Sequence, residues 1–439
     1  MTKPRLIPQE FIVPFVLITS LFALWGFANS VTDPMVQAFK KVLELTNAQA
    51  AWVQMAFYGG YFSMALPAAL FIRKYSYKTG ALIGLALFAV GALLFYPAAI
   101  SEQFWFFCLG LYVLTFGLAF LETTANPYIL AMGPPETATQ RLNLAQAFNP
   151  FGLLGGLLVA QQFVLKKLQS DDLENYATLA EAQKAVVRTA DLMVIRDPYL
   201  MLGLAVMVIF ILVLVSKMPE GKAEGELSLG NTVRRLTKNS RYTSGVAAQM
   251  LYVGAQIMCW TYIYQYAEAQ AMDSDVAASY QFIAFLAFMI GRAIGTYLLR
   301  FVSAETLLAI FSLGATLLTL GTIFIQGLFG LYCLVSLSFF MSLMFPTIYG
   351  IALDGLTQDE FKLGAAGLVM AIVGGALLPK LQGMIIDFGG AGVADVQIVG
   401  VPEVNFSFVL PLGCFAAIAL YGWLIGKRTL PNPLSSSQQ

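Results

Sequence analysis

Apolar runs long enough to cross a membrane recur from one end of the chain to the other. They fall at roughly 11–33, 48–72, 76–100, 104–131, 142–165 and 198–217, and again at 243–267, 277–299, 304–326, 328–353, 363–388 and 405–426. A spanning helix needs about 20 mostly apolar residues, so the pattern predicts twelve transmembrane helices. The first run follows Lys3 and Arg5, but it is longer than the apolar core of a signal peptide and no small-residue cleavage site ends it. It is therefore expected to be the first span. Composition points the same way, since 58% of the 439 residues are hydrophobic and only 11% are charged, far from the balance of a soluble globular domain.

The polar stretches organise these spans. The longest, "KMPEGKAEGELSLGNTVRRLTKNSR" from Lys217 to Arg241, separates six spans from six. The expected divisions are an N-terminal six-helix bundle over 1–217, a cytoplasmic linker over 218–242, a C-terminal six-helix bundle over 243–428 and a cytoplasmic tail over 429–439. An even number of spans puts both termini on one face. That face carries sixteen Lys and Arg residues against seven on the other, which places the termini in the cytoplasm. The halves also share punctuation. Pro127 in span four precedes Gly155-Gly156 in span five by 28 residues, and Pro346 in span ten precedes Gly374-Gly375 in span eleven by the same interval. Paired interruptions of this kind point to a transporter whose binding site lies between its repeats. Twelve spans in two halves, cytoplasmic termini and a basic turn between spans two and three, "FIRKYSYKTG", together resemble the major facilitator superfamily. The resemblance implies an all-α membrane protein of two pseudo-symmetric six-helix bundles. The acidic residue usual before the arginine of that turn is missing here, so the topology carries the inference.

Composition narrows the chemistry. There is no histidine, so a proton relay would have to run on carboxylates. The four cysteines, Cys108, Cys259, Cys333 and Cys414, lie inside spans without paired spacing and carry no disulfide or metal signature. Neither a metal nor a cofactor is expected. A net charge of zero argues against a nucleic-acid partner.

A charge at mid-bilayer costs about 2.5–3.5 kcal/mol on insertion scales, and few residues incur that cost. Glu122, in "GLAFLETTANPYI", lies eighteen residues into span four, too deep for a carboxylate to reach either interface. It either makes a helix-helix hydrogen bond as the neutral acid or faces a cavity and binds a polar substrate or a proton. Asp33 ends span one in "WGFANSVTDPM", just before Pro34 and one turn after Asn29. Arg292, in "IGRAIG", stands about eight residues from the cytoplasmic end of span eight, where it could snorkel or form a gate. Lys380, in "GGALLPKLQGMIID", lies deeper in span eleven with Asp387 seven residues on. It would line a cavity or reach the outer interface.

Uncharged polar residues are patterned too. Asn143, Gln146 and Asn149 recur every three residues in "RLNLAQAFNPFG" of span five, expected on one helix face. They would either join helices or hydrogen-bond a ligand rich in hydroxyls. Tyr252, Gln256 and Trp260 recur every four residues in span seven. An amide and a large ring on one stripe suit a sugar, whose hydroxyl edge takes hydrogen bonds while its C–H face packs on the ring.

Several strings resemble the fucose–proton symporters and their glucose/galactose-type relatives: "SLFALWGFANSVTDPM", "AFYGGYFSMALPAALFIRKYSYKTG", "LETTANPYI", "RLNLAQAFNPFG", "YVGAQIMCW" and "IGRAIGTYL". The resemblance spans the chain and is densest in its first half. It implies that Asp33 and Glu122 couple protonation to sugar binding, that Gln146 and Asn149 contact the sugar, and that Trp25 and Trp260 are the motif tryptophans. With Asn29, Glu122 and Gln256, these make up the expected sugar site; Arg292 and Lys380 are cavity or gate candidates. Ser30 stands where the fucose type often has a second asparagine after Asn29, and "GGALLPKLQG", with Lys380, is closer to the glucose/galactose type.

The expected function is inward transport of a monosaccharide, L-fucose first, with a proton, by alternating access in a bacterial inner membrane, with lipid around a monomer. Glucose or galactose with proton or sodium is the alternative, and a facilitator-type exporter of other small molecules stands behind it. No GxxxxGK[ST] loop is present to use ATP. Without histidine, HExxH or GxSxG, the chain is not expected to be an enzyme.

Overall fold

The structure is a computed structural model that describes residues 6–45, 47–172, 176, 179–216, 229–272, 274–390 and 393–429. The side chains of some helical residues, Asp33 among them, lie outside the described residues. In order, the first six spans are the helices Ile12–Val42, Asn47–Lys74, Tyr77–Leu93 with Phe95–Ser101, Phe104–Ala131, Ala138–Gln146 with Asn149–Val159, and Glu181–Val215. The second six are Ser240–Thr261 with Ile263–Glu268, Ser274–Leu298, Ala304–Phe324, Leu328–Met341 with Met344–Leu353, Gln358–Met370 with Gly374–Ile386, and Glu403–Ser407 with Val409–Thr429. A two-stranded hairpin, Gln397–Ile398 against Val401–Pro402, precedes span twelve.

Among the described residues, eleven helical stretches are long and apolar enough to cross a membrane. The expected span seven is helical apart from the turn at Tyr262 but falls outside that set. Its two glutamines, Gln249 and Gln256, dilute its hydropathy. Span six is longer than expected. The apolar run begins near 198, yet the helix begins at Glu181 and has 35 residues, about 52 Å at about 1.5 Å per residue. Its first turns are charged and are strapped by Lys184 to Glu44 at 2.9 Å and by Arg188 to Glu102 at 3.1 Å. Residues 217–228, most of them in the linker, and 430–439 of the tail lie outside the described residues; Leu229–Lys238 is helical.

Proline does not act alike at each site. Pro34 and Pro127 sit inside continuous helices, so span one does not end at Asp33 and span four is not broken beside Glu122. Membrane helices tolerate such prolines where neighbours satisfy the released carbonyls. Before Pro150 and Pro346 the helix does break, at residues 147–148 and 342–343, where the missing N–H and the ring's clash with the preceding turn end it. Gly155-Gly156 lie within a helix, whereas Gly374-Gly375 open one after the 3₁₀ turn Ala371–Val373.

Contacts divide the chain into two compact units. One holds Met1–Pro135, Phe148–Thr232 and Thr357–Ala376; the other holds Glu136–Ala147, Val233–Leu356 and Leu377–Gln439. In the first unit, span three packs on span four, span two on span four, and span one on helix Asn149–Val159. The first helix of span eleven belongs to this unit, where Arg73 Nε meets Asp359 Oδ1 at 2.9 Å and Lys362 lies 5.1 Å from the Tyr77 ring. In the second unit, span nine packs on spans ten and twelve, and span eight on span ten. The first helix of span five belongs there, against Met344–Leu353.

Helix Asn149–Val159 lies at backbone distance from span one because both carry glycine at the crossing. A Cβ at Gly152 would overlap the Ala23 carbonyl, one at Gly26 the Asn149 carbonyl, and one at Gly156 the Ser30 hydroxyl. Small residues are what allow membrane helices to approach so closely. Gly152→Ala is expected to destabilise the protein by about 1–3 kcal/mol, the usual cost of overpacking, and to lower its melting temperature in detergent. Gly413→Ala, whose Cβ would meet nothing within 4 Å, is expected not to. Equal melting of the two variants would overturn the assignment.

Candidate functional site

In the first unit the site is built on spans one, two and four. Every residue from Gly117 to Leu130 is buried, Glu122 included. Span two brings Tyr61, whose hydroxyl donates to Glu122 Oε1 at 3.5 Å, a long bond. Glu122 Oε2 is buried and has no hydrogen-bond partner among the described residues. The Asn126 side-chain amide donates to the Glu122 backbone carbonyl at 3.2 Å. On span one, Trp25 is buried edge-on against Phe22, with ring centroids 4.5 Å apart, and its indole N–H is likewise unpartnered. Asn29 is partly buried one turn further on. Asp33 lies in the same helix, but its side chain is outside the described residues. A buried donor and a buried acceptor without partners are uncommon in a finished core and are what a polar ligand or a proton would satisfy.

The amides of span five do not share one face. The turn at 147–148 redirects the chain, and Asn149 donates to the Phe22 carbonyl of span one at 3.1 Å. Gln146 and Asn143 remain on the other side of the turn, in the second unit. There Asn143 donates to the Thr139 carbonyl at 3.0 Å and to the Thr347 hydroxyl at 3.4 Å.

The second unit also brings a gate candidate and a sugar-site candidate together. Arg292, only 2% exposed, donates from Nη1 to the Gln146 backbone carbonyl at 3.3 Å and to its Oε1 at 3.4 Å. Trp260 is buried between the rings of Phe285 and Phe288, at 4.8 and 5.1 Å, and its indole N–H donates to Ser338 at 3.2 Å. Gln256, one turn before it, is partly buried. Lys380 is exposed, on a stripe of its helix shared with exposed Leu377, Leu381 and Met384. Sequence reasoning missed Tyr61 and Gln249. Tyr61 lies inside a string that had carried the resemblance, so its signal was present. Gln249 is wholly buried with neither amide atom partnered, and its position seven residues before Gln256, two turns along one face, could have marked it.

Comparison with known proteins adds four findings. Residues 16–379 match the model of the Major Facilitator Superfamily. The chain is 56% identical over 430 residues to the L-fucose-proton symporter of Haemophilus influenzae, covering 96% of this chain and 99% of that protein. It is 31% identical to the glucose/galactose transporter of Brucella abortus, over 94% and 93% of the two. Among solved structures, it is similar to a Major Facilitator Superfamily transporter, FucP, in the outward conformation, with a TM-score of 0.83, 33% identity, and coverage of 95% of this chain and 99% of that one.

Proposed function

The chain belongs to the Major Facilitator Superfamily, in the group that holds the L-fucose-proton symporters and the glucose/galactose transporters, and we propose that it carries L-fucose into the cell together with a proton. It is a multi-pass membrane transporter, like its relatives, rather than an enzyme. Glu122 carries the coupling part of this reading. It is a carboxyl buried in an unbroken apolar helix, with one oxygen on the Tyr61 hydroxyl and the other unpartnered. Such a group is held at low cost when neutral and at high cost when charged, so loading and unloading it can be tied to the state of the carrier. The 56% identity to a protein named L-fucose-proton symporter supports the choice of sugar.

The carrier works by alternating access, two six-helix bundles (1–217 and 243–428) rocking about a central site. Trp25, Asn29, Glu122, Gln146, Asn149, Gln256 and Trp260 contact the sugar, and Asp33 and Glu122 take the proton. The protein sits as a monomer among the lipids of a bacterial inner membrane. The excess of Lys and Arg on one face puts both termini in the cytoplasm.

Proton uptake by cells or proteoliposomes on addition of L-fucose, galactose, glucose, mannose or N-acetylglucosamine tests the assignment. L-fucose is expected to drive uptake at a concentration about tenfold or more below the others, since a site that hydrogen-bonds one hydroxyl pattern rejects its analogues strongly. Lys380, which is closer to the glucose/galactose type, gives the alternative its footing. Equal or better uptake with galactose or glucose would establish that alternative. Sugar-dependent sodium entry without proton uptake would replace the coupling ion.

A further inference from the structure

Arg292 is a cation buried inside a span, and no carboxylate pairs with it among the described residues. Its guanidinium lies 5.0 Å from the Phe288 ring, and its Nε has no hydrogen-bond partner. What Nη1 does contact is a single residue, Gln146, through both the backbone carbonyl and the side-chain oxygen. The backbone contact has a local cause. In a continuous helix the carbonyl of residue 146 would accept from the N–H of residue 150, and residue 150 is proline, which has no N–H. Pro150 therefore orphans the Gln146 carbonyl where span five breaks, in a place where water is scarce and an unmet carbonyl is costly. The guanidinium supplies the missing donor, and a cation at that position also suits the carbonyl end of helix Ala138–Gln146.

The side-chain contact has a different consequence. A carboxamide held by its oxygen reads a ligand through its N–H groups, so the same nitrogen that mends the break also sets which end of Gln146 meets the sugar. We propose that Arg292 is a positioning residue of the sugar site. It substitutes for the N–H that Pro150 lacks and locks the Gln146 carboxamide in the orientation that binds sugar. This rests on the reading above that Gln146 contacts the sugar. Arg292 is then neither a snorkelling surface charge nor an independent gate.

The test is a set of variants in proteoliposomes, with KM and Vmax for L-fucose and the proton taken up per sugar measured for each. Gln146→Ala tests the underlying reading. A KM within about twofold of the parent would remove Gln146 from the sugar site and overturn the proposal with it. If Gln146→Ala raises KM, Arg292→Gln is expected to raise it roughly tenfold, in line with loss of a charge-assisted hydrogen bond, with Vmax and protons per sugar within about twofold. Arg292→Lys, which keeps the charge but not the planar fork, is expected to recover part of the loss. In the Gln146→Ala background, Arg292→Gln is expected to add less than about twofold, because the two act through one contact. Full multiplication of the two effects, or a fall in Vmax at unchanged KM, would overturn the proposal. Should Arg292→Gln alone fail to fold, the Pro150→Ala, Arg292→Gln double variant returns an N–H to the orphaned carbonyl. Its KM is still expected to be raised, since the carboxamide remains unheld; a parental KM would overturn the side-chain role.

Discussion

Glu122→Gln is expected to abolish proton uptake driven by L-fucose and to reduce sugar accumulation to simple equilibration, while sugar still moves down its own gradient. Glutamine has nearly the shape of the protonated acid and can still meet the Tyr61 hydroxyl, now 3.5 Å from Oε1. Packing along the buried stretch from Gly117 to Leu130 is thus preserved and only the titration is lost. The effect is large because the coupling ion supplies the driving force. One positive charge moved across about 100 mV is worth about 2.3 kcal/mol, which at about 1.4 kcal/mol per factor of ten sustains an accumulation of about fifty-fold. The variant should lose all of it. Proton uptake at the parental level, measured with a pH dye inside the vesicles, would take Glu122 out of the coupling path. A raised KM for sugar without loss of coupling would make it a sugar contact only.

Glu122 was legible because a charge in an apolar run is conspicuous in one dimension. The twelve spans were legible for the same reason, and the strings shared with sugar symporters carried the family. Prolines show where local reasoning stops. Pro127 and Pro150 obey the same rule of lost N–H, yet the first is absorbed into helix Phe104–Ala131 and the second sits behind a break, a difference that the residue type alone does not encode. The break in turn explains why the stripe of Asn143, Gln146 and Asn149 could not stay on one face. The charged start of span six was hidden because hydropathy registers the bilayer-facing part of a helix and not its projecting turns. Contacts such as Tyr61 with Glu122, 61 residues apart, and Arg292 with Gln146, 146 apart, leave no periodic trace in a single chain. Each candidate could be named from its own cost inside the membrane, but which of them meet could not.

Asp33→Asn is expected to separate exchange from accumulation. Asp33 lies in span one four residues after Asn29, with Pro34 inside the same helix, and its neighbours Ser30 and Thr32 are buried. Counting along the spans puts it nearer the outer end than Glu122, which would let an inward-moving proton reach it first. If the two carboxyls are protonated in sequence, an uncharged residue at position 33 mimics the loaded carrier permanently. Reorientation with sugar then continues, and labelled L-fucose exchanges across the membrane at close to the parental rate with KM within about twofold. Accumulation against a gradient disappears, with the same roughly fifty-fold loss at about 100 mV as for Glu122→Gln, because no proton is released inside. The two variants differ in the sugar itself. Glu122 is also a proposed sugar contact, so Glu122→Gln is expected to raise KM by several-fold, on the scale of one altered hydrogen bond, whereas Asp33→Asn leaves KM alone. Full accumulation by Asp33→Asn would remove it from the proton path. Loss of exchange together with accumulation would show that both carboxyls serve one shared proton and that the sequential order is wrong.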